Sequence, residues 1–180
     1  MSEKKEELGD PVEVFGDLFS KLYICMAKEM KDSFGKQGVE AVKRALIKFG
    51  HDRGKAIRRK HEEKGLPITV KSLFEYYDLP GDKRFRRNPI KLSENVRVSQ
   101  TLVCPYQELW RQIAPADSEL WSLYCDTAHQ AIFEAYLNDI LCELPLLLTK
   151  GDKYCQFEVY RKGHEGEIPG RKQEKKGKKA

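Results

Sequence analysis

Apolar residues recur at spacings of three and four from Phe15 through Leu18, Phe19, Leu22, Met26 and Met30, which predicts a helix with one apolar face running to about Phe34. Asp10-Pro11-Val12-Glu13 marks its start. Asp10 can cap, Pro11 suits the first helical position, and Glu13 can reach back to the cap amide. Two glycines between Ser33 and Gly38 break the helix. A second helix follows, with Val39, Val42, Leu46, Phe49, Arg53 and Ile57 on one face and Lys43, Arg44, Lys48, Lys55, Arg58, Arg59 and Lys60 on the other. That basic run reads first as a solvated helix face and only second as a binding patch.

Gly65-Leu66-Pro67 interrupts, Val70 to Leu79 reads as a short helix, and Pro80-Gly81-Asp82 is a turn signal. From Ile90 to Cys104 the pattern changes to alternation. Val96, Val98, Leu102 and Cys104 share one face, taken as inward; Arg97, Ser99 and Thr101 share the other, taken as exposed. A preceding strand is expected around Phe85 to Leu92. A short helix from Gln107 to Ile113 carries Trp110, and a longer one runs from Glu119 to about Asp139. Cys142 to Thr149 and Lys153 to Tyr160 flank Lys150-Gly151-Asp152 as a C-terminal β-hairpin. The sum is an α+β domain in which two long N-terminal helices pack on a small, mostly antiparallel sheet, with further helices and the closing hairpin.

Composition narrows this further. A chain of 180 residues with eight Phe, eight Tyr and two Trp suits one domain and excludes disorder for its bulk. No apolar run approaches the ~20 residues that span a bilayer, and Ser2 to Glu7 lacks the apolar core of a secretory signal. Eight basic against three acidic residues between Arg161 and Ala180 account for the whole net charge of +5, which leaves residues 1–160 with 25 of each sign. The predicted division is a flexible N-terminus over 1–9, one domain over 10–162, and a basic, disordered tail over 163–180. Its balanced body argues against specific nucleic-acid binding, and no membrane partner is expected. The oligomeric state is not legible. Five widely spaced cysteines argue against a disulfide framework and for a reducing, cytoplasmic setting.

Three of those cysteines carry the candidate chemistry. Cys104 ends the predicted strand, Cys155 shares a face with Phe157 and Val159, and Cys125 lies one helical turn before His129. Cys104, Cys125, Cys155 and His129 could therefore converge as a Cys3His set, which suits a divalent metal such as Zn2+. The other reading is that buried cysteines pack as small hydrophobes, and the absence of any Cys-x-x-Cys pair favours it. The same absence argues against an iron–sulfur cluster. Cys25 and Cys142 read as core. Gln100, on the inward face of the Cys104 strand, is either a ligand contact or a satisfied core amide.

Cys104-Pro105, Trp110, Leu123-Tyr124-Cys125 and Gly151-Asp152-Lys153-Tyr154-Cys155-Gln156-Phe157 follow one another in an order that resembles the L-2-amino-thiazoline-4-carboxylate hydrolase-like family. Phe49-Gly50-His51-Asp52-Arg53-Gly54 fits it more loosely, and the Gly-Asp, Cys-x-Phe ending is also similar to 4-vinyl reductase-type domains. The first resemblance implies hydrolytic opening of a thiazoline ring at the carbon between sulfur and nitrogen. Either a metal on Cys104, Cys125 and Cys155 activates water, or a thiolate such as Cys125 attacks with His129 as its base. Arg97 is the candidate partner for a substrate carboxylate, with Gln100 and Trp110 as further substrate contacts. One position departs from the family: His129 stands where an Asp is expected. The second resemblance implies a small-molecule-binding, sensor-like domain without catalysis, its pocket lined by Phe74, Tyr77 and Trp110.

Overall fold

Asp10 caps the first helix as its sequence predicts, its carboxylate accepting the Val12 N–H at 2.8 Å, and α1 runs over Pro11–Glu63. The computed structural model describes residues 9–79 and 81–171; the expectations for residues 1–8 and 172–180 lie outside the described residues. Helix α1 is not one rod. At Gly35 the backbone takes φ 55° and ψ −134°, a combination open to glycine and strained for any residue with a Cβ. The chain doubles back there, so that Gly38 lies hard against the Met30 carbonyl. The two arms, residues 11–34 and 36–63, are the two predicted helices, and the rings of Phe19 and Phe49 stand 6.3 Å apart across them.

The first arm packs by its small residues. Gly16, Ser20, Ile24 and Ala27 are buried, whereas Phe15, Leu18, Leu22 and Met26, its large apolar face, are exposed. The cause lies in α3 (Pro105–Ile113). Its Tyr106 ring sits within 3.3 Å of where a Cβ on Gly16 would be, and the Trp110 indole donates to the Ser20 carbonyl oxygen at 3.0 Å. Only a small-residue face allows so close an approach. Helix α4 (Ser118–Tyr136) lies against both arms. With Ile24, Ala27 and Leu46 it encloses one core around Trp110, Leu120 and Tyr124. Ile57 joins Ile132, Phe133, Tyr136 and Val159 in a second.

Four strands, β1 (Arg86–Leu92), β2 (Val96–Val103), β3 (Ile140–Leu146) and β4 (Cys155–Arg161), form an antiparallel sheet in the order β1-β2-β4-β3. Short helix α2 (Val70–Glu75), capped by Thr69, lies beside it, and α4 covers the same face. This α+β architecture agrees with the sequence pattern, but β2 is turned over. Arg97, Ser99 and Thr101 pair with Val159, Phe157 and Cys155, and paired residues share a face; Val159 belongs to the core beneath the helices. Arg97 therefore faces the helices, the reverse of its expected exposure. Val96 and Val98 face away and pack with Tyr160 and Ile168, and Gln100, expected inward, shares that back face and accepts from Asn88 Nδ2 at 3.2 Å.

The back face stays covered because the chain continues past β4. Ile168 is buried there, and Arg171 bonds Glu143 and the 5% exposed Glu158. Residues 163–171, assigned to a disordered tail from their composition, are thus packed onto the sheet. Among the described residues no helix is long and apolar enough to cross a membrane.

Candidate functional site

Elements on both sides of the sheet–helix junction send polar or aromatic groups toward one cleft. Helix α4 contributes His129, whose ring meets Phe157 of β4 edge-on at 5.0 Å between centroids. From α2 comes Phe74, 5.3 Å from Phe133, with Arg97 Cζ stacked 4.1 Å above its centroid. Tyr77, just after α2, lies under Arg53 of the second arm at 4.9 Å. Cys142 of β3 is registered with Val159 and so faces the same space. Phe74, Tyr77, Arg97, His129, Cys142 and Phe157 all remain half-buried although desolvation dominates every titratable one. Groups that are both deep and partly accessible enclose a cleft rather than a filled core.

The field in this cleft is positive. Arg53 is neutralised by Asp78, with two contacts at 2.6 and 3.0 Å. Arg97 has no carboxylate partner among the described residues, and burial with the nearby Arg87 charge pulls its pKa down to about 10. A buried guanidinium without a counter-ion is costly, and it marks a place for an anion. Burial, assisted by Arg53, Arg97 and Arg87, holds the His129 imidazole down at about 4. At neutral pH the ring is therefore uncharged. Its Nδ1 lies 3.0 Å from the Cys125 carbonyl oxygen, which can only accept, so Nδ1 carries the proton and Nε2 keeps a free lone pair.

The predicted metal set is not assembled. Among the described residues no group of three or more His, Cys, Asp or Glu side chains is placed to hold a metal ion. The thiols are near enough for charge on Cys104 or Cys155 to raise Cys125, but burial is the larger cause. It pushes Cys104 up to about 11 and Cys142 up to about 12, and raises Cys155. These thiols are protonated at neutral pH and are poor nucleophiles. Asp126, beside Cys125, faces solvent and pairs with Lys150 at 2.9 Å.

Trp110, expected to touch substrate, is 1% exposed in the core between α1 and α3. Arg53 and Phe157 were not expected at the site, and Cys142 read as core. Arg53 carried a signal, a lone charge within the apolar face of the second helix. A depression of about 840 Å3, lined by residues including Gln107, Arg111, Trp121, Thr149 and Lys150, lies elsewhere. It is open and holds neither cysteine nor histidine, so the chemistry points to the cleft.

The buried imidazole also leaves a thermodynamic trace. Above its unfolded pKa of 6.5, His129 is neutral folded or unfolded. Between 6.5 and about 4 the unfolded chain takes up a proton that the fold refuses, so stability falls as pH falls and the loss levels off below about 4. Denaturant melts at pH 7 and 4.5 should show the wild type losing on the order of 2 kcal/mol more than His129→Gln. Equal losses would place the ring in water.

A family model described as L-2-amino-thiazoline-4-carboxylic acid hydrolase matches residues 16–159. No curated protein matches the chain. Among solved structures it is similar to a trafficking protein particle complex subunit 3 from Naegleria fowleri, covalently bound to palmitic acid. The identity is 16% and the TM-score 0.53, covering 83% of this chain and 96% of that one. At that identity the likeness is one of fold.

Proposed function

The chain belongs to the L-2-amino-thiazoline-4-carboxylic acid hydrolase family over residues 16–159, and from that premise we propose that the cleft binds a small cyclic amidine carboxylate and opens its ring with water. The observation that carries this reading is the half-buried Arg97, without a carboxylate partner among the described residues, beside a neutral His129. Arg97, with Arg87 behind it, takes the substrate carboxylate by a charge-assisted hydrogen bond. Phe74, Tyr77 and Phe157 form the apolar walls for the ring. His129 Nε2 removes a proton from water as its oxygen bonds to the carbon between sulfur and nitrogen. The adduct then collapses with loss of one ring bond, and the imidazolium returns the proton to the departing ring atom. Ligand charge also tunes the base, because a carboxylate on Arg97 cancels part of the field that depresses His129 and lifts it toward neutrality.

Water, rather than the Cys125 thiol, is the nucleophile in this scheme, since burial keeps that thiol protonated. No step is routed through a metal, because the residues present do not form a ligand shell. A second reading, a binding domain without turnover, draws on thiols that burial keeps protonated; for this chain it predicts ligand binding with no product.

L-2-amino-thiazoline-4-carboxylate serves as the probe. Wild-type protein should convert it to a ring-opened product, and Arg97→Met should raise KM roughly 10- to 100-fold while kcat changes little. Calorimetric binding without product would favour the second reading. Neither binding nor turnover, or an Arg97→Met variant with unchanged KM, would sink the first.

A further inference from the structure

Independently of the hydrolase reading, the first arm of α1 carries an apolar surface that no element among the described residues covers. Phe15 is 73% exposed, Leu22 61% and Met26 60%; Leu18 and the half-covered Phe19 complete the stripe. These residues follow one another at three- and four-residue spacing along one side of the helix. They present roughly 600 Å2 of apolar side-chain surface, at the upper end of what a soluble monomer leaves exposed in one patch.

The composition of the chain ends argues against self-coverage. Residues 1–8 contain two apolar side chains, Met1 and Leu8, and residues 172–180 only Ala180. A lipid surface fits poorly as well. Helices that lie on membranes flank their apolar face with Lys and Arg, whereas Lys21, Glu29 and Asp32 border this one with mixed sign, and Asp32 is paired with Lys28.

We propose that the stripe is the contact surface for a second copy of this chain, in a two-fold, isologous dimer. Residues 15–26 span ~17 Å of helix. Reversed upon itself about its midpoint, the stripe sets Phe15 opposite Met26 and Leu18 and Phe19 opposite Leu22, so each copy presents the partner the other needs. With the polar rim included, each copy buries about 800 Å2, the ordinary size of a stable interface.

Sedimentation of the full chain between about 1 and 100 μM, where micromolar dimers dissociate and reform, tests this. The wild type should reach twice its mass of 20.9 kDa. Leu22→Glu and Phe15→Glu should each give monomers with unchanged circular dichroism and melting temperature, and Leu102→Glu, an exposed apolar site on the sheet, should stay dimeric. Phe15 touches too little of its own fold for its replacement to unfold the chain. A wild-type monomer throughout the range, a dimer that survives both stripe variants, or a monomer that cosediments with phosphatidylcholine–phosphatidylglycerol vesicles would overturn the proposal.

Discussion

Replacing His129 with Gln should lower kcat for thiazoline-carboxylate opening by roughly 10²- to 10⁴-fold and leave KM within a few-fold of the wild type. The asymmetry follows from the division of labour in the cleft. In the proposed scheme Arg97 and the aromatic walls bind the ring whether or not a base is present, whereas the other titratable groups lining the cleft are protonated or, like Asp78 on Arg53, held in an ion pair. Every thiol that faces the space is already protonated by burial, and Tyr77 is pushed up to about 12 by the same cause. Gln keeps a polar group of similar reach but has no basic nitrogen. Steady-state rates across pH add a second reading: the acid limb of kcat should lie above the value of about 4 that His129 has without ligand, because bound carboxylate offsets Arg97. A Gln variant with more than a tenth of the wild-type kcat would remove His129 from the chemistry.

A single methyl group at Gly54 should have the largest effect on the fold itself. A Cβ there would stand 2.1 Å from the Ile132 carbonyl oxygen and 2.9 Å from the Ala135 Cβ. The first of these is backbone within α4 and cannot rotate aside, so the second arm and α4 would have to part by about an ångström along their contact. Gly54→Ala should cost more than ~4 kcal/mol, most of a domain's stability, and yield little soluble protein. Gly50→Ala meets the softer Ala131 methyl at 2.6 Å and should be the milder of the two. Gly65→Ala has open space around it and serves as the control for a glycine whose replacement strains only its own positive φ. Gly54→Ala melting within 1 kcal/mol of wild type would show that the helices can separate.

Local signals were legible wherever the chain speaks to its own neighbours. The cap at Asp10, the break between Ser33 and Gly38, the strand at Val96 and the helix after Pro115 all depend on residues close in sequence, and the structure has each of them. What a face is turned toward depends on distant residues. The large side chains of the first arm read as an apolar face, but the partners that reach that helix, Tyr106 and Trp110, come from α3 and select its smallest residues instead. Strand β2 inverted for a related reason. Its back face is covered by Ile168, which composition had assigned to a tail, so valines pack there while Arg97 and Ser99 line the cleft. Alternation reports that two faces differ, not which one meets the helices. The family resemblance pointed to Arg97 against its apparent orientation, and the three cysteines drew attention away from Arg53 and Phe157, which have no motif of their own.

The position of β4 governs the order in which the molecule can be completed. It is the last of the four strands in the chain yet occupies the interior of the sheet, between β2 and β3. During synthesis the β1–β2 hairpin emerges first, and one side of β2 has no hydrogen-bonding mate until residues 155–161 have left the ribosome. Phe157, which contacts His129, then arrives with the final strand, and Val159 pairs with Arg97 as that strand slots in. Assembly of the cleft is in that sense the closing event among the strands, and a nascent chain halted before Cys155 carries helices and a hairpin but lacks the strand that completes it.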